Sequence, residues 1–160
     1  MKTKFKELES NVIQWGVDRD LYHPEHGATS DSQYLKFITE IGELADAILK
    51  QDREKIKDGI GDAIVCLIAK LKLEDIEVEG MIKEEITSLF YDMPNVNLDS
   101  SNILGYILSE SYFNSFYSIC GLLALENFLG FEYLECLEFA YKEIKDRKGR
   151  MVNRTFIKDE

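Results

Sequence analysis

Apolar residues recur every three or four positions along most of the chain. Phe5, Leu8, Val12 and Trp15 do so over residues 3–16, Phe37, Ile41, Leu44 and Ile48 over 30–52, and Ile60, Ile64, Leu67 and Leu71 over 53–75. With 3.6 residues per turn, such spacing places one stripe on each helix, so three amphipathic helices are predicted. Gly16 marks the end of the first, and Pro24 and Gly27 mark residues 17–30 as loop. Ser30 or Asp31 is the expected cap of the second helix. The link between the second and third is so short that they should pair antiparallel.

Beyond residue 76 the pattern is harder to follow. A short amphipathic helix is predicted over about 80–91, followed by a Pro/Asn/Asp loop. Asp99 or Ser100 should cap a helix running to Gly130, with a break near Ser111–Ser115. A last helix over 131–150 carries Leu134, Leu137, Tyr141 and Ile144 inward and ends on a basic turn of Lys142, Lys145, Arg147 and Lys148. Residues 151–160 read as an extended tail. The aromatic group Tyr106, Tyr112, Phe113, Phe116 and Tyr117 suits packing or subunit contact. No repeat or linker divides the chain, and the expectation is one all-α domain, a multi-helix bundle.

Composition narrows the function. A chain of 160 residues can bury a core without staples. Its longest apolar runs fall far short of the ~20 residues of a membrane span. The first residues carry charge throughout with no apolar signal region, so a cytoplasmic location is the default expectation. Cys66, Cys120 and Cys136 are far apart in apolar helical contexts and carry no metal or disulfide spacing. A net charge of −11 argues against nucleic-acid binding through a basic face. It suits an anionic substrate only if cations bridge the two. His23 and His26, in the polar loop, receive no role.

The candidate chemistry lies on the second and third helices. Glu40 and Glu43 project roughly 60° apart, and Asp58 and Asp62 about 40° apart, each pair beside its apolar stripe. On antiparallel neighbours both pairs can face one groove. Four converging carboxylates repel one another unless cations sit among them, and hard oxygen donors suit Mg²⁺ or Mn²⁺. The plainer reading of the same residues, and the usual one for acids on amphipathic helices, is a solvated face. Gly59 and Gly61 are costly in a helix interior and suggest a place where a neighbouring helix or a ligand approaches the backbone.

"KFITEIGELADAI" followed by "IKDGIGDAIVCLI" resembles the MazG-like branch of the all-α nucleoside triphosphate pyrophosphohydrolases. "LECLEFAYKEIKDRKGRMVNRTF" is similar to the closing segment of phage members of that branch. The likeness covers the first 75 residues or so and the last 30. It implies an all-α fold, a two-helix Mg²⁺ site and hydrolysis of a (deoxy)nucleoside triphosphate to monophosphate and pyrophosphate. It further implies a homodimer or homotetramer, in the host cytoplasm for a phage-encoded chain. Glu40 and Glu43 match the last two acids of the family's EExxE motif and Asp62 the aspartate of ExxD. Asp58 stands one place before Gly59, which occupies that motif's glutamate position. The four would hold the metal, with Glu40 and Glu43 serving catalysis.

Lys36 is placed to meet a phosphate or to pair with Glu40. Trp15 is placed to stack on a base or to join the core. The run Lys145, Arg147, Lys148 and Arg150 reads as a contact to the triphosphate of a neighbouring subunit or as a charge-matched helix end. Thr39 stands where the family usually has its first glutamate, and residues 76–128 look inserted relative to compact members. These departures keep two further readings open: a nucleotide- and metal-binding protein with weakened hydrolysis, and an acidic helical interaction module.

Overall fold

The computed structural model describes residues 3–77 and 99–159, and among them six helices and a two-stranded hairpin. The helix predicted near 80–91 lies outside the described residues. In chain order the elements are α1 (Lys4–Val17), α2 (Ser30–Lys50), α3 (Arg53–Leu73), α4 (Ser100–Glu110), α5 (Ser115–Phe128), α6 (Glu135–Ile144), β1 (Gly149–Val152) and β2 (Thr155–Lys158).

The three predicted stripes are the core. Phe5, Leu8, Val12, Phe37, Ile41, Leu44, Ile60, Ile64, Leu67 and Leu71 are all buried, in one cluster that draws side chains from all six helices. Helix α3 is the central element, packing on α1, α2, α5 and α6. Its link to α2 is two residues long: Gln51 closes α2 in the left-handed conformation and the Asp52 carboxylate caps α3 by accepting from the Lys55 N–H. So short a turn forces the antiparallel pair. The α2 cap is Thr29, not Ser30 or Asp31, because Thr29 and Ser32 satisfy each other's backbone N–H groups reciprocally. Asp99 caps α4 as expected, and the break at residues 111–114 separates α4 from α5.

The glycines of α3 are answered by packing. A Cβ on Gly59 would stand 3.1 Å from Leu44 Cβ, and one on Gly61 would overlap the Cys136 carbonyl oxygen and lie 2.7 Å from Ala140 Cβ. Gly59 brings α2 close, and Gly61 lets the backbone of α6 lie against α3. These are helix approaches, and they fix the walls of the site described below.

The last helix is shorter than the sequence suggests. Leu134 takes the left-handed conformation, and the buried Glu126 carboxylate of α5 reaches across to accept from the Leu134 and Cys136 N–H groups at 3.0 and 2.7 Å. The helix therefore starts at Glu135. It ends at Ile144, so Arg147 and Lys148 leave the helix and Gly149 and Arg150 enter a strand. Arg19 accounts for that end: its guanidinium donates to the Lys145 and Arg147 carbonyls at 3.1 and 2.7 Å. The extended tail is an antiparallel hairpin, Gly149 opposite Lys158 and Val152 opposite Thr155. Its two-residue turn, Asn153–Arg154, has φ of 48° and 66°, the backbone of a type I′ turn.

Of the aromatic group, Phe116 packs on the core, while Tyr112, Phe113 and Tyr117 are exposed. Cys66, Cys120 and Cys136 are buried. Among the described residues no helix is long and apolar enough to cross a membrane.

Candidate functional site

A cavity of about 440 Å³ opens between the α2–α3 pair, α1, the end of α6 and the hairpin. All four predicted carboxylates line it: Glu40 and Glu43 from α2, Asp58 and Asp62 from α3. Glu40, Glu43 and Asp58 also border a second recess on the α2–α3 surface, beside Thr39 and Asp46. Glu143, on the last turn of α6, adds a fifth acid that the sequence reading did not single out.

The acids are not equivalent. Glu40 is buried and its Oε1 accepts from Lys36 Nζ at 2.6 Å, while Glu43 is exposed on the rim. Burial first, then the charges of Asp58 and Glu40, push the Asp62 carboxyl up to about 7. Asp58 is raised by burial and then by Glu40, Glu143 and Glu43, with Arg147 opposing. Burial works against the Lys36 charge, but the hydrogen bond and attraction to Glu40 outweigh it and raise that group. Cys66 also lines the cavity, and burial, then Glu40 and Asp62, drive its thiol far above the usual range, so no thiolate nucleophile forms there.

Hard carboxylate oxygens with mutual repulsion are the donor chemistry that Mg²⁺ and Mn²⁺ prefer. The fit is one of charge and donor type. Among the described residues, no three acidic, histidine or cysteine groups are gathered closely enough to share one ion as they stand. Lys36 occupies part of the role of counter-ion by holding Glu40.

Cations line the cavity with the acids: Lys36 on α2, Arg147 just after α6, and Arg154 and Lys158 from the hairpin. Lys145 and Lys148 do not line it, and Lys145 Nζ lies 3.9 Å from the Asp146 carboxylate instead. The helix was expected to carry this run in one turn; because it ends at Ile144, only Arg147 is turned toward the acids. Arg154 is held in place by donating to the Pro24 and Gly27 carbonyls at 3.1 and 3.3 Å. Thr39 is exposed, and its Oγ1 donates to the Leu35 carbonyl at 3.2 Å.

The far wall is aromatic. Trp15 and Tyr22 come from α1 and the following loop, and Phe156 from β2. Trp15 meets Phe156 edge-on, ring centroids 5.4 Å apart, and the Arg19 guanidinium lies 5.0 Å from the indole centroid. Trp15 belongs to a small satellite cluster with Leu21, Ala28 and Ala69, and not to the main core. Phe156 lies between Thr155 and Ile157 in a four-residue strand, so no alternation of apolar and polar positions marks this wall in the sequence.

No family model matches the chain, and no solved structure matches it significantly. Among curated proteins it is similar to an uncharacterized 18.2 kDa protein in the rep-hol intergenic region of Haemophilus phage HP1, with 33% identity over 72 residues. The similarity spans 45% of this chain and 42% of that protein, less than half of either. It links part of the chain to a phage protein and names no reaction.

Proposed function

We propose that this protein is a Mg²⁺-dependent nucleoside triphosphate pyrophosphohydrolase, cleaving a (deoxy)nucleoside triphosphate to the monophosphate and pyrophosphate. One observation carries the reading: Glu40, Glu43 and Asp62, at MazG-like motif positions, and the neighbouring Asp58 share a single cavity with Lys36 and Arg147. Glu40, Glu43, Asp58 and Asp62 would hold Mg²⁺, or Mn²⁺ in its place. When bound, the ion supplies neutralisation of triphosphate charge and polarisation of a phosphoryl oxygen.

The chain's own groups do the rest. Lys36 and Arg147 meet phosphate oxygens and balance charge on the departing pyrophosphate. Glu40, held by Lys36, accepts the proton of a water attacking the α–β linkage in line, and Glu43 at the rim orients that water. Asp62, whose carboxyl titrates at about 7, surrenders its proton as cation charge enters beside it. The buried α2–α3 seam behind the acids keeps the phosphate end rigid, as charge stabilisation requires.

The test is a panel of nucleoside triphosphates with Mg²⁺, with pyrophosphate assayed and the nucleotide product identified. Pyrophosphate with monophosphate is the expected pair, and Glu43→Gln should cut its release about 100-fold or more. Orthophosphate with diphosphate would overturn the reading. A second reading is favoured by Thr39, which offers a hydroxyl bonded to its own helix where the resemblance calls for a carboxylate. On that reading the protein binds Mg²⁺–nucleotide and hydrolyses it weakly, and tight binding with no release under any divalent ion would select it.

A further inference from the structure

We infer that residues 23–27 form an acid-released latch on the cavity. With His23 neutral the turn grips Arg154 and holds the β1–β2 hairpin against the site, and protonation of His23 lets the hairpin go. The latch stands on its own geometry; only its meaning for a nucleotide rests on the proposed function.

The hairpin lines the cavity through Arg154, Thr155, Phe156 and Lys158. Arg154 Nη1 donates to the Pro24 carbonyl at 3.1 Å and to the Gly27 carbonyl at 3.3 Å. Those two carbonyls converge on one donor only while the turn between them keeps its shape. Three backbone hydrogen bonds close it: the His23 N–H to the Asp20 carbonyl at 3.1 Å, the Gly27 N–H to the His23 carbonyl at 2.8 Å, and the Ala28 N–H to the Leu21 carbonyl at 2.7 Å. A Cβ on Gly27 would lie 2.5 Å from both the His23 nitrogen and its carbonyl oxygen, so the turn is wound tightly onto His23. Asp20 starts it in the left-handed conformation, with φ of 56°. Met151 of β1 packs on the small cluster that Leu21 and Ala28 form with Ala69, so the hairpin leans on the same loop.

The His23 side chain makes this turn sensitive to protons. Its Nδ1 accepts from the Glu25 N–H at 3.2 Å, which a neutral imidazole does with its own proton on Nε2. The imidazolium donates from both nitrogens, so protonation sets Nδ1–H against the Glu25 N–H, donor against donor. Charge adds a second penalty. His26 is stacked on His23, with ring centroids 3.7 Å apart and planes 18° from parallel. Neutral rings stack in this way, and two imidazoliums repel across it. The charged groups around the pair are Asp20 and Glu25 on the loop and Arg154 on the hairpin. Asp20 Oδ2, 3.9 Å from His26 Nε2, meets a charge on His26. A charge on His23 instead joins that of Arg154 in the turn the guanidinium grips. Both effects spread residues 23–27, and Arg154 loses its paired acceptors. On the proposed function, neutral pH keeps the hairpin closed on a bound nucleotide, and acid opens the cavity to exchange.

Trp15 is the chain's sole tryptophan and meets Phe156 of the hairpin edge-on, so its fluorescence follows the latch. The intact protein, without nucleotide or divalent ions, is taken from pH 8 to pH 5, the interval in which histidines as a class change charge. Trp15 emission should move to the red and its quenching by acrylamide should rise as pH falls, while helical circular dichroism stays constant. His23→Asn offers a carbonyl oxygen where Nδ1 stood and takes up no proton in that interval, so it should keep the pH 8 emission throughout. Arg154→Ala should show the acid emission already at pH 8. Asp62→Asn should keep the parent's transition, which sets the latch apart from the titration of the acids.

Emission that stays flat with pH in the parent would overturn the latch. So would a transition that persists in His23→Asn, one that Asp62→Asn abolishes, or a shift accompanied by loss of helical signal. No nucleotide enters the measurement. Its failure therefore leaves the pyrophosphohydrolase reading standing, and a protein that releases no pyrophosphate leaves the latch standing.

Discussion

The two ends of the cavity are frustrated in different ways. At the α2–α3 end the trouble is charge: Asp58 and Asp62 are half-buried beside Glu40, and their carboxyls are pushed up as a result. At the α1–hairpin end it is hydrogen bonding, since the Trp15 and Tyr22 donors are buried without acceptors among the described residues. A charge defect is relieved by cations and a donor defect by acceptors.

Four changes break or sharpen this contrast. The largest effect should come from the seam that both ends share. Gly61→Val drives a side chain into the Cys136 carbonyl and Ala140, forcing α6 off α3. A loss of about 4 kcal/mol is expected in urea unfolding, at the upper end of single-site effects. An unchanged midpoint would mean that the α3–α6 contact is looser than described.

Asp62→Asn tests the charged end alone. In the folded state the Asp62 carboxyl titrates at about 7, against 3.8 for an unperturbed aspartate. The folded protein therefore holds its proton more tightly than the unfolded chain. The stability this gives is complete below pH 4 and is lost as pH rises toward and through 7. In chelator at pH 8, Asp62→Asn should be more stable than the parent by about 2–3 kcal/mol. At pH 4 the difference should vanish, and millimolar Mg²⁺ at pH 8 should reverse it. A variant less stable at every pH would show that the carboxylates are not in conflict.

Arg154→Ala tests the aromatic end. It removes the two hydrogen bonds that hold the hairpin to residues 24–27, at an expected cost of about 1 kcal/mol. As Phe156 lifts from Trp15, the emission maximum should move to the red; a fixed maximum would mean the wall stands without that tie. Lys36→Ala should have the smallest effect. Its ion pair with Glu40 is short, but the lysine side chain is more than half exposed, so less than about 1 kcal/mol is expected from thermal melting. A markedly larger loss would make Lys36 a structural counter-ion of the charged end.

The charged end was legible in the sequence and the aromatic end was not. Glu40, Glu43, Asp58 and Asp62 sit at fixed angles on two helices joined by two residues, so local periodicity alone predicts that they can share a face. Tyr22 lies in a loop, and Phe156 in a four-residue strand opposite a turn that lacks the usual glycine. Neither has a period from which its direction can be read. The last helix was drawn too long for a related reason. Its true bounds are set by Glu126 at one end and Arg19 at the other, residues on other elements that take up its unpaired N–H and carbonyl groups. Arg53 does the same for the end of α5, donating to the Leu129 and Gly130 carbonyls.

By itself, then, the sequence determined the helices, their apolar faces, the antiparallel α2–α3 pair and the set of acids beside its seam. All of these depend on spacing within one or two turns, where the geometry of the helix leaves little choice. Only the tertiary structure decided that Gly61 admits α6, that Arg147 and not Lys145 or Lys148 faces the acids, and that a C-terminal hairpin closes the cavity against α1. Those outcomes depend on contacts between residues far apart in the chain, such as Gly61 with Cys136, Arg19 with Arg147 and Arg154 with Pro24. Chain closure over that distance is governed by packing and by unpaired polar groups finding partners, and neither is written in any local pattern.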